Sequence, residues 1–333
     1  MVAKTTPHLT ATEKELLNIL QWDFPLVETP FADIGSRLGL SEEEVIELIA
    51  KLKDEAIIRE LNAIFDTRRL GYKSSLVAVR APEDRVDAVA DVISEHPGVS
   101  HNYKRDHYFN IWFTLAVPPE SELETELDAL AARAGAETYR LLPTKHLFKI
   151  GVKLDMTRDE EKLEPERRSA KKSRPAPGPL TDEDRAFVRE LQEDVPLTTR
   201  PFDGMAEKLG MTVPGLLAKI AWFQEAGLMR RFAAVLRHQN AGFTSNGMVC
   251  WKVPEERIRS VGEIAASFPQ VSHCYQRPTY PDWPYNLFSM VHSRSDDKCR
   301  SIAEKISERT GVSEYEILFS TKEYKKERVR YFV

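Results

Sequence analysis

The chain has 333 residues, too many for one ordinary domain and suited to two or three compact ones. Its 42% hydrophobic and 30% charged residues exclude wholesale disorder, and its three cysteines (Cys250, Cys274, Cys299), with no C-x-x-C spacing, indicate neither a disulfide scaffold nor a structural zinc site. No apolar run approaches a membrane span of roughly 18 residues, and the N-terminal MVAKTTPHLT lacks a signal-peptide core, so a soluble, cytoplasmic protein is expected.

The first predicted elements are helices over Glu13–Gln21, Phe31–Leu38 and Ser41–Asp54, the last with Val45, Ile46, Leu48, Ile49 and Leu52 along one face and a Ser41/Glu44 capping box. The Gly39-Leu40 step before it reads as a helix-turn-helix corner, and Ile57–Leu61 with Ile64-Phe65 as a short wing hairpin. After Gly71 the pattern becomes strand (Ser75–Arg80), helix (Pro82–Glu95), strand (Val99–Arg105), strand (Asn110–Val117), helix (Pro119–Ala134) and strand (Thr138–Lys153). That order, β-α-β-β-α-β, is a ferredoxin-like split unit.

Residues 156–180 have no apolar periodicity, are crowded with charge and end in alternating prolines, which predicts a flexible tether. Beyond it the pattern starts again. Phe31 to Leu40 aligns with Phe202 to Met211 at an offset of 171, and Gly71 falls on Gly242 at the same offset. HNYKR at 101–105 meets HCYQR at 273–277, Asn110 meets Asn286, and Thr144-Lys145 meets Thr321-Lys322. Such slowly drifting offsets mark a duplicated fold. The expected organisation is α+β: a winged helix-turn-helix at 1–66, a ferredoxin-like domain at 67–155, the tether at 156–180, and second copies at 181–237 and 238–333.

This layout resembles the Lrp/AsnC-type transcription regulators, yet charge argues against DNA. Residues 1–155 carry 18 Lys and Arg against 26 Asp and Glu, a balance of −8, and the whole chain stands at −5. A recognition helix presents cations or amides to the groove, whereas the first candidate opens with Glu42, Glu43, Glu44 and Glu47. The second offers Pro214 and Gly215, with no cation before Lys219. The helix-turn-helix units are therefore expected to be degenerate, serving packing rather than DNA.

The chemistry concentrates in the repeated segment. Residues two apart on a strand share a face, so His101, Tyr103 and Arg105 point one way, as do His273, Tyr275 and Arg277. The next strand adds Asn110, Trp112 and Thr114 in one copy, and Asn286, Phe288, Met290 and His292 in the other. Tyr108, Phe109, Trp283 and Tyr285 supply aromatic surroundings. In a ferredoxin-like unit the helices cover one sheet face, leaving the other to pack on the sister copy. Guanidinium and imidazole groups among aromatic walls suit a large, flat, anionic ligand with carboxylates for arginine to clamp. Cys274 lies on the opposite face as a small buried residue; His8, His96 and His238 lie outside the repeated segments and read as structural.

HNYKRDHYFNIWFTL and HCYQRPTYPDWPYNLFSMVH resemble the signature segments of the siroheme decarboxylases, an enzyme family on the Lrp/AsnC scaffold, and the chain resembles its fused two-subunit form. The resemblance implies removal of the acetate carboxylates at ring positions 12 and 18 of siroheme as carbon dioxide. Didecarboxysiroheme would result, for haem d1 or alternative haem biosynthesis. It implies no separate cofactor, because the iron belongs to the substrate, and an intramolecular pseudo-dimer of the two halves with no membrane partner. Under it, His101 and His273 are candidates for proton transfer or for axial ligation of the substrate iron, with Tyr103, Tyr275 and His107 as further catalytic candidates. Arg105, Arg277, Lys104, Asn110, Trp112, Tyr285, Asn286 and His146 are candidates for substrate binding. A tetrapyrrole-responsive regulator and a non-catalytic tetrapyrrole carrier are the rival functions.

Overall fold

The computed structural model describes residues 9–150, 178–236, 245–293 and 295–333. The expected tether lies outside them except for its last three residues, as do His8, His238 and Gly242. Helices α1 (Ala11–Trp22), α2 (Pro30–Leu38) and α3 (Glu42–Asp54) open the first copy, and strand β1 (Ile58–Phe65) follows. Two capping boxes, Thr10 with Glu13 and Ser41 with Glu44, start α1 and α3 by satisfying amides that a helix end leaves bare. Gly39, at φ 70°, ends α2 in the left-handed conformation and turns the chain into α3. The second copy repeats this with α6 (Asp182–Leu191), α7 (Asp203–Lys208), α8 (Val213–Glu225) and β7 (Met229–Leu236).

The expected wing hairpin does not form. Ile58 to Phe65 is one continuous strand, and its partner is β7 of the other copy, antiparallel from Ile58↔Leu236 to Phe65↔Met229. The stretch Leu61-Asn62-Ala63 has no residue suited to the positive φ of a tight hairpin turn except Asn62. Asn62 is instead buried, donating to the Gln192 carbonyl at 2.6 Å. Pairing across the copies satisfies the ladder and lets both helix-turn-helix units share one core, in which Leu17, Phe31 and Ile49 join Phe187, Ile220 and Phe223.

The ferredoxin-like parts are β2 (Lys73–Arg80), α4 (Val86–Glu95), β3 (Val99–Arg105), β4 (Ile111–Val117), α5 (Leu123–Ala134), β5 (Thr138–Pro143) and β6 (His146–Ile150) in the first copy. In the second they are β8 (Ser245–Trp251), α9 (Ile258–Ser267), β9 (Val271–Gln276), β10 (Leu287–Ser293), α10 (Asp296–Thr310) and β11 (Tyr315–Lys326). All their strands join one sheet in the order β5-β2-β4-β3-β11-β8-β10-β9-β6. The single last strand expected over Thr138–Lys153 is divided: β5 pairs with its own β2, and after Thr144 the chain crosses to pair β6 with β9 of the sister copy. β11 makes the reciprocal exchange without a break, Tyr315–Phe319 on β8 and Ser320–Lys326 on β3. Residues 151–153 are outside the described chain.

Each copy packs its two helices on one sheet face over its own core. The opposite faces meet in a shared core of Phe109, Trp112 and Leu142 against Met248, Cys250, Trp283, Phe288 and Leu318. The exchanged β6 is fixed by shape. The ring of Phe148 lies so close to Gly262 on α9 that a Cβ there would approach it to 2.5 Å.

Candidate active site

The two His-x-Tyr-x-Arg stripes lie on the face away from the helices, as alternation requires, since Asn102 turns the other way to donate to the Ala90 carbonyl on α4 at 2.9 Å. Along β3 the His101 and Tyr103 rings are 6.3 Å apart, and the Arg105 guanidinium lies 5.8 Å from the Tyr103 ring centre. Along β9 the corresponding separations are 6.0 Å and 4.8 Å. Each histidine leans on the serine before it, His101 Nδ1 at 3.0 Å from Ser100 Oγ and His273 Nδ1 at 2.8 Å from Ser272 Oγ. The serines were not singled out from the sequence, although the repeated Val-Ser-His of the two copies was there to be read.

Each stripe runs from a histidine at one end to an arginine inside the shared core at the other. Arg105 donates from Nη1 to the Leu318 carbonyl, and Arg277 reciprocally to the Leu142 carbonyl, each reaching the other copy's last strand. Both guanidiniums are buried, and the Nε of each finds no hydrogen-bond acceptor among the described residues. Burial pulls both down to about 10, opposed by the Cys250 thiol and by Tyr103 or Tyr275, and Arg68 adds to the lowering at Arg277. A desolvated cation without a counter-charge is costly, so each guanidinium would gain from a negative charge brought beside it.

At the other end, burial lowers His101 to about 4, helped by the positive charges of Lys326 and Arg59 and by His273. His101 is therefore neutral near pH 7, and the two histidines are close enough to influence one another. Burial raises the Tyr103 phenol far above its usual range, and the adjacent Glu323 carboxylate raises it further. Burial raises Tyr275 as well, against the pull of Arg277, Arg230 and Arg68. Of these surrounding cations, Arg59 and Arg230 come from the wing strands, Lys326 from the end of β11 and Arg68 from the turn after β1. They escaped the sequence reading, though Arg59 and Arg230 stand at the duplication offset of 171.

Several other candidates sit elsewhere. Asn110 and Asn286 are strand clamps: each side chain accepts from and donates to one residue's backbone, Ala81 in one copy and Val253 in the other. Both ends of each amide are thus engaged in bracing backbone. Trp112 is closed into the shared core, its indole donating to the Phe109 carbonyl at 2.7 Å and its rings 5.1 Å from Trp283. Lys104 faces the helix side, where its charge reaches Asp87 on α4. His107 lies beyond the arginine end of β3, 3.2 Å from Glu316 and 5.3 Å from the Trp283 ring centre, and is not brought to His101. Tyr285 joins that group by hydrogen-bonding Glu316. His146 meets Phe148 edge to face, ring centres 4.5 Å apart, in a hollow of about 300 Å³ with Glu255, Ile258, Arg259 and Gln276, on the helix side of β9. Cys274 is buried there too, its thiol pushed up to about 12 by desolvation.

Residues 13–59 and 184–230 each match the model described as siroheme decarboxylase NirDL-like HTH domain, and 69–149 and 240–325 each match the AsnC-like ligand binding domain. A siroheme decarboxylase of Hydrogenobacter thermophilus is 42% identical over 96% of this chain and 94% of its own. The chain belongs to the siroheme decarboxylase family. It is thus an enzyme of the carboxy-lyase kind. A siroheme decarboxylase beta subunit of Methanosarcina barkeri matches 43% of this chain with 95% of its own length, at 46% identity, so one copy here corresponds to a whole subunit there. A crystal structure of the siroheme decarboxylase NirDL in co-complex with an iron-uroporphyrin III analogue superposes with a TM-score of 0.76 at 37% identity, over 97% of this chain and 95% of that one.

Proposed function

We propose that this protein removes the acetate carboxylates at ring positions 12 and 18 of siroheme as carbon dioxide, leaving methyl groups, and so supplies didecarboxysiroheme to haem d1 or alternative haem synthesis. The observation that carries the reading is the pair of stripes, in which buried guanidiniums with no carboxylate partner among the described residues end a row whose other end is a histidine, His101 being desolvated among cations. A ring edged with carboxylates supplies the negative charge this arrangement lacks. Each decarboxylation breaks one carbon–carbon bond, leaves its electron pair on the substrate and takes up one proton at the resulting carbon. His101 or His273 carries that proton or ligates the substrate iron, with Tyr103 and Tyr275 beside them. A carboxylate near Lys326 and Arg59 cancels the charges that help hold His101 down and so raises its affinity for a proton. Arg105 and Arg277 orient the carboxylates. General-acid assistance contributes roughly 10²–10⁴-fold, and desolvation of the departing carboxylate supplies more.

Anaerobic incubation with siroheme, followed by mass analysis, is expected to show stepwise loss of two carboxyl groups. Unchanged mass alongside spectrally visible binding would make the protein a tetrapyrrole carrier instead. The helix-turn-helix units are not assigned to DNA, because the exposed first turn of α3 presents Glu42 and Glu43 beside the capping Glu44.

A further inference from the structure

The wing ladder between β1 and β7 holds register except at two points, between Ile58 and Glu60 and between Ile64 and Phe65. At the first, Arg59 has no partner while its neighbours pair with Leu236 and Val235. At the second, Arg230 is passed over between Arg231 and Met229. Both irregularities are β-bulges, one from each copy, and the two arginines are equivalent at the offset of 171. A bulge bends the strand and re-aims the side chain of the extra residue. Two matched bulges, each carrying an arginine, are hard to explain by packing, since arginine adds little to a core.

The chain also fixes where these arginines lie. After Lys326, which pairs with His101, the Glu327 amide donates to the Ser100 carbonyl at 2.6 Å. Arg328 then donates to Asn62 Oδ1 on β1 at 2.9 Å and meets Glu60 at 3.2 Å. Two residues therefore span from the histidine end of the first stripe to the wing. The charge of Arg59 is felt by both His101 and Tyr103, and the charge of Arg230 by Tyr275. Each has only one acidic partner among the described residues: Glu60 at 3.6 Å from Arg59, and Asp66 at 3.0 Å from Arg230.

We propose that Arg59 and Arg230, presented by the two wing bulges, bind peripheral carboxylates of the tetrapyrrole substrate, so that the paired wings form the cationic roof of the site. The inference rests on the siroheme reading and gives the helix-turn-helix units a task in catalysis: they hold substrate. The recognising chemistry is the forked guanidinium against a carboxylate, with acetates and propionates both within its class.

The test is absorbance titration of the full chain with iron-uroporphyrin III, which bears eight carboxylates, and with iron-coproporphyrin III, which bears four. Arg59→Gln and Arg230→Gln are expected to weaken iron-uroporphyrin binding by roughly ten-fold each, as loss of a charge-assisted hydrogen bond does, and iron-coproporphyrin binding distinctly less. No loss for either ring in folded variants would overturn the proposal, whereas an equal loss for both would support it and assign the two arginines to the propionates that the rings share. Asp66→Asn guards against variants that fail to fold. It keeps the oxygen that caps the Arg68 and Arg69 amides and releases Arg230 from its carboxylate, so binding should tighten; unchanged or weaker binding counts against the roof. If the unaltered protein neither binds iron-uroporphyrin nor decarboxylates siroheme, the functional reading fails and this inference with it. If it does both and the arginine variants match it, the roof alone is wrong.

Discussion

The two stripes are copies in backbone and unlike in surroundings. Around His101 and Tyr103 the structure gathers Lys326 and Glu323 from β11 and Arg59 from the wing. Around Tyr275 it places Arg230 and Arg68, and the strand beside β9 is the short β6 instead of the long end of β11. Duplication thus preserved the row of three side chains and let the neighbours diverge, and it is neighbours that set proton affinity. The first stripe, with a phenol beside a carboxylate and an imidazole under two cations, is the better furnished for moving protons.

That comparison breaks most readily at the histidines. His101→Ala is expected to slow siroheme turnover by roughly 100-fold or more while leaving binding within a few-fold, and His273→Ala to slow it less. Single-turnover mass analysis of both variants decides, and the reverse order would assign the chemistry to the second stripe. A smaller effect separates substrate binding from bracing at the buried arginines. Replacing an uncompensated buried cation with an apolar side chain of similar length is often neutral or stabilising. Arg105→Met and Arg277→Met should therefore keep or raise the denaturation midpoint while weakening affinity for siroheme. Lower stability with unchanged affinity would make the two residues braces for the Leu318 and Leu142 carbonyls.

At Gly262, substitution by leucine should destabilise the protein by about 1–3 kcal/mol in urea, because Phe148 already fills the space. The smallest effect is with pH. Desolvation lowers His101 to about 4 from its ordinary 6.5, so the folded chain holds fewer protons than the unfolded one between those values. Stability is full above about pH 6.5 and declines as pH falls toward 4, and His101→Gln should flatten that decline in thermal melts.

The duplication, the helices and the stripes were legible because each is local. Periodicity, capping residues and alternation at two residues act within a few positions, so Val99–Arg105 appears as a strand in sequence and structure alike. Partner choice was not legible. Nothing within Ile58–Phe65 announces that its mate is residue 236 and not its own continuation, and nothing in Thr138–Lys153 except the Thr144-Lys145 step marks a crossing to the sister sheet. Among the candidate residues, Arg105 and Arg277 were singled out by type, but their burial follows from the meeting of two sheets. The bracing role of Asn110 and Asn286 was not legible either, because an amide that clamps backbone looks, in sequence, like one that awaits a ligand.

Because β6 and β11 are lent across the pair, neither half owns a finished sheet. Severing the chain between the halves should yield fragments that recover activity only when mixed, with a midpoint set by their concentration. The covalent join then acts chiefly by keeping each half's partner at high local abundance, a service that separate subunits must obtain from expression level alone.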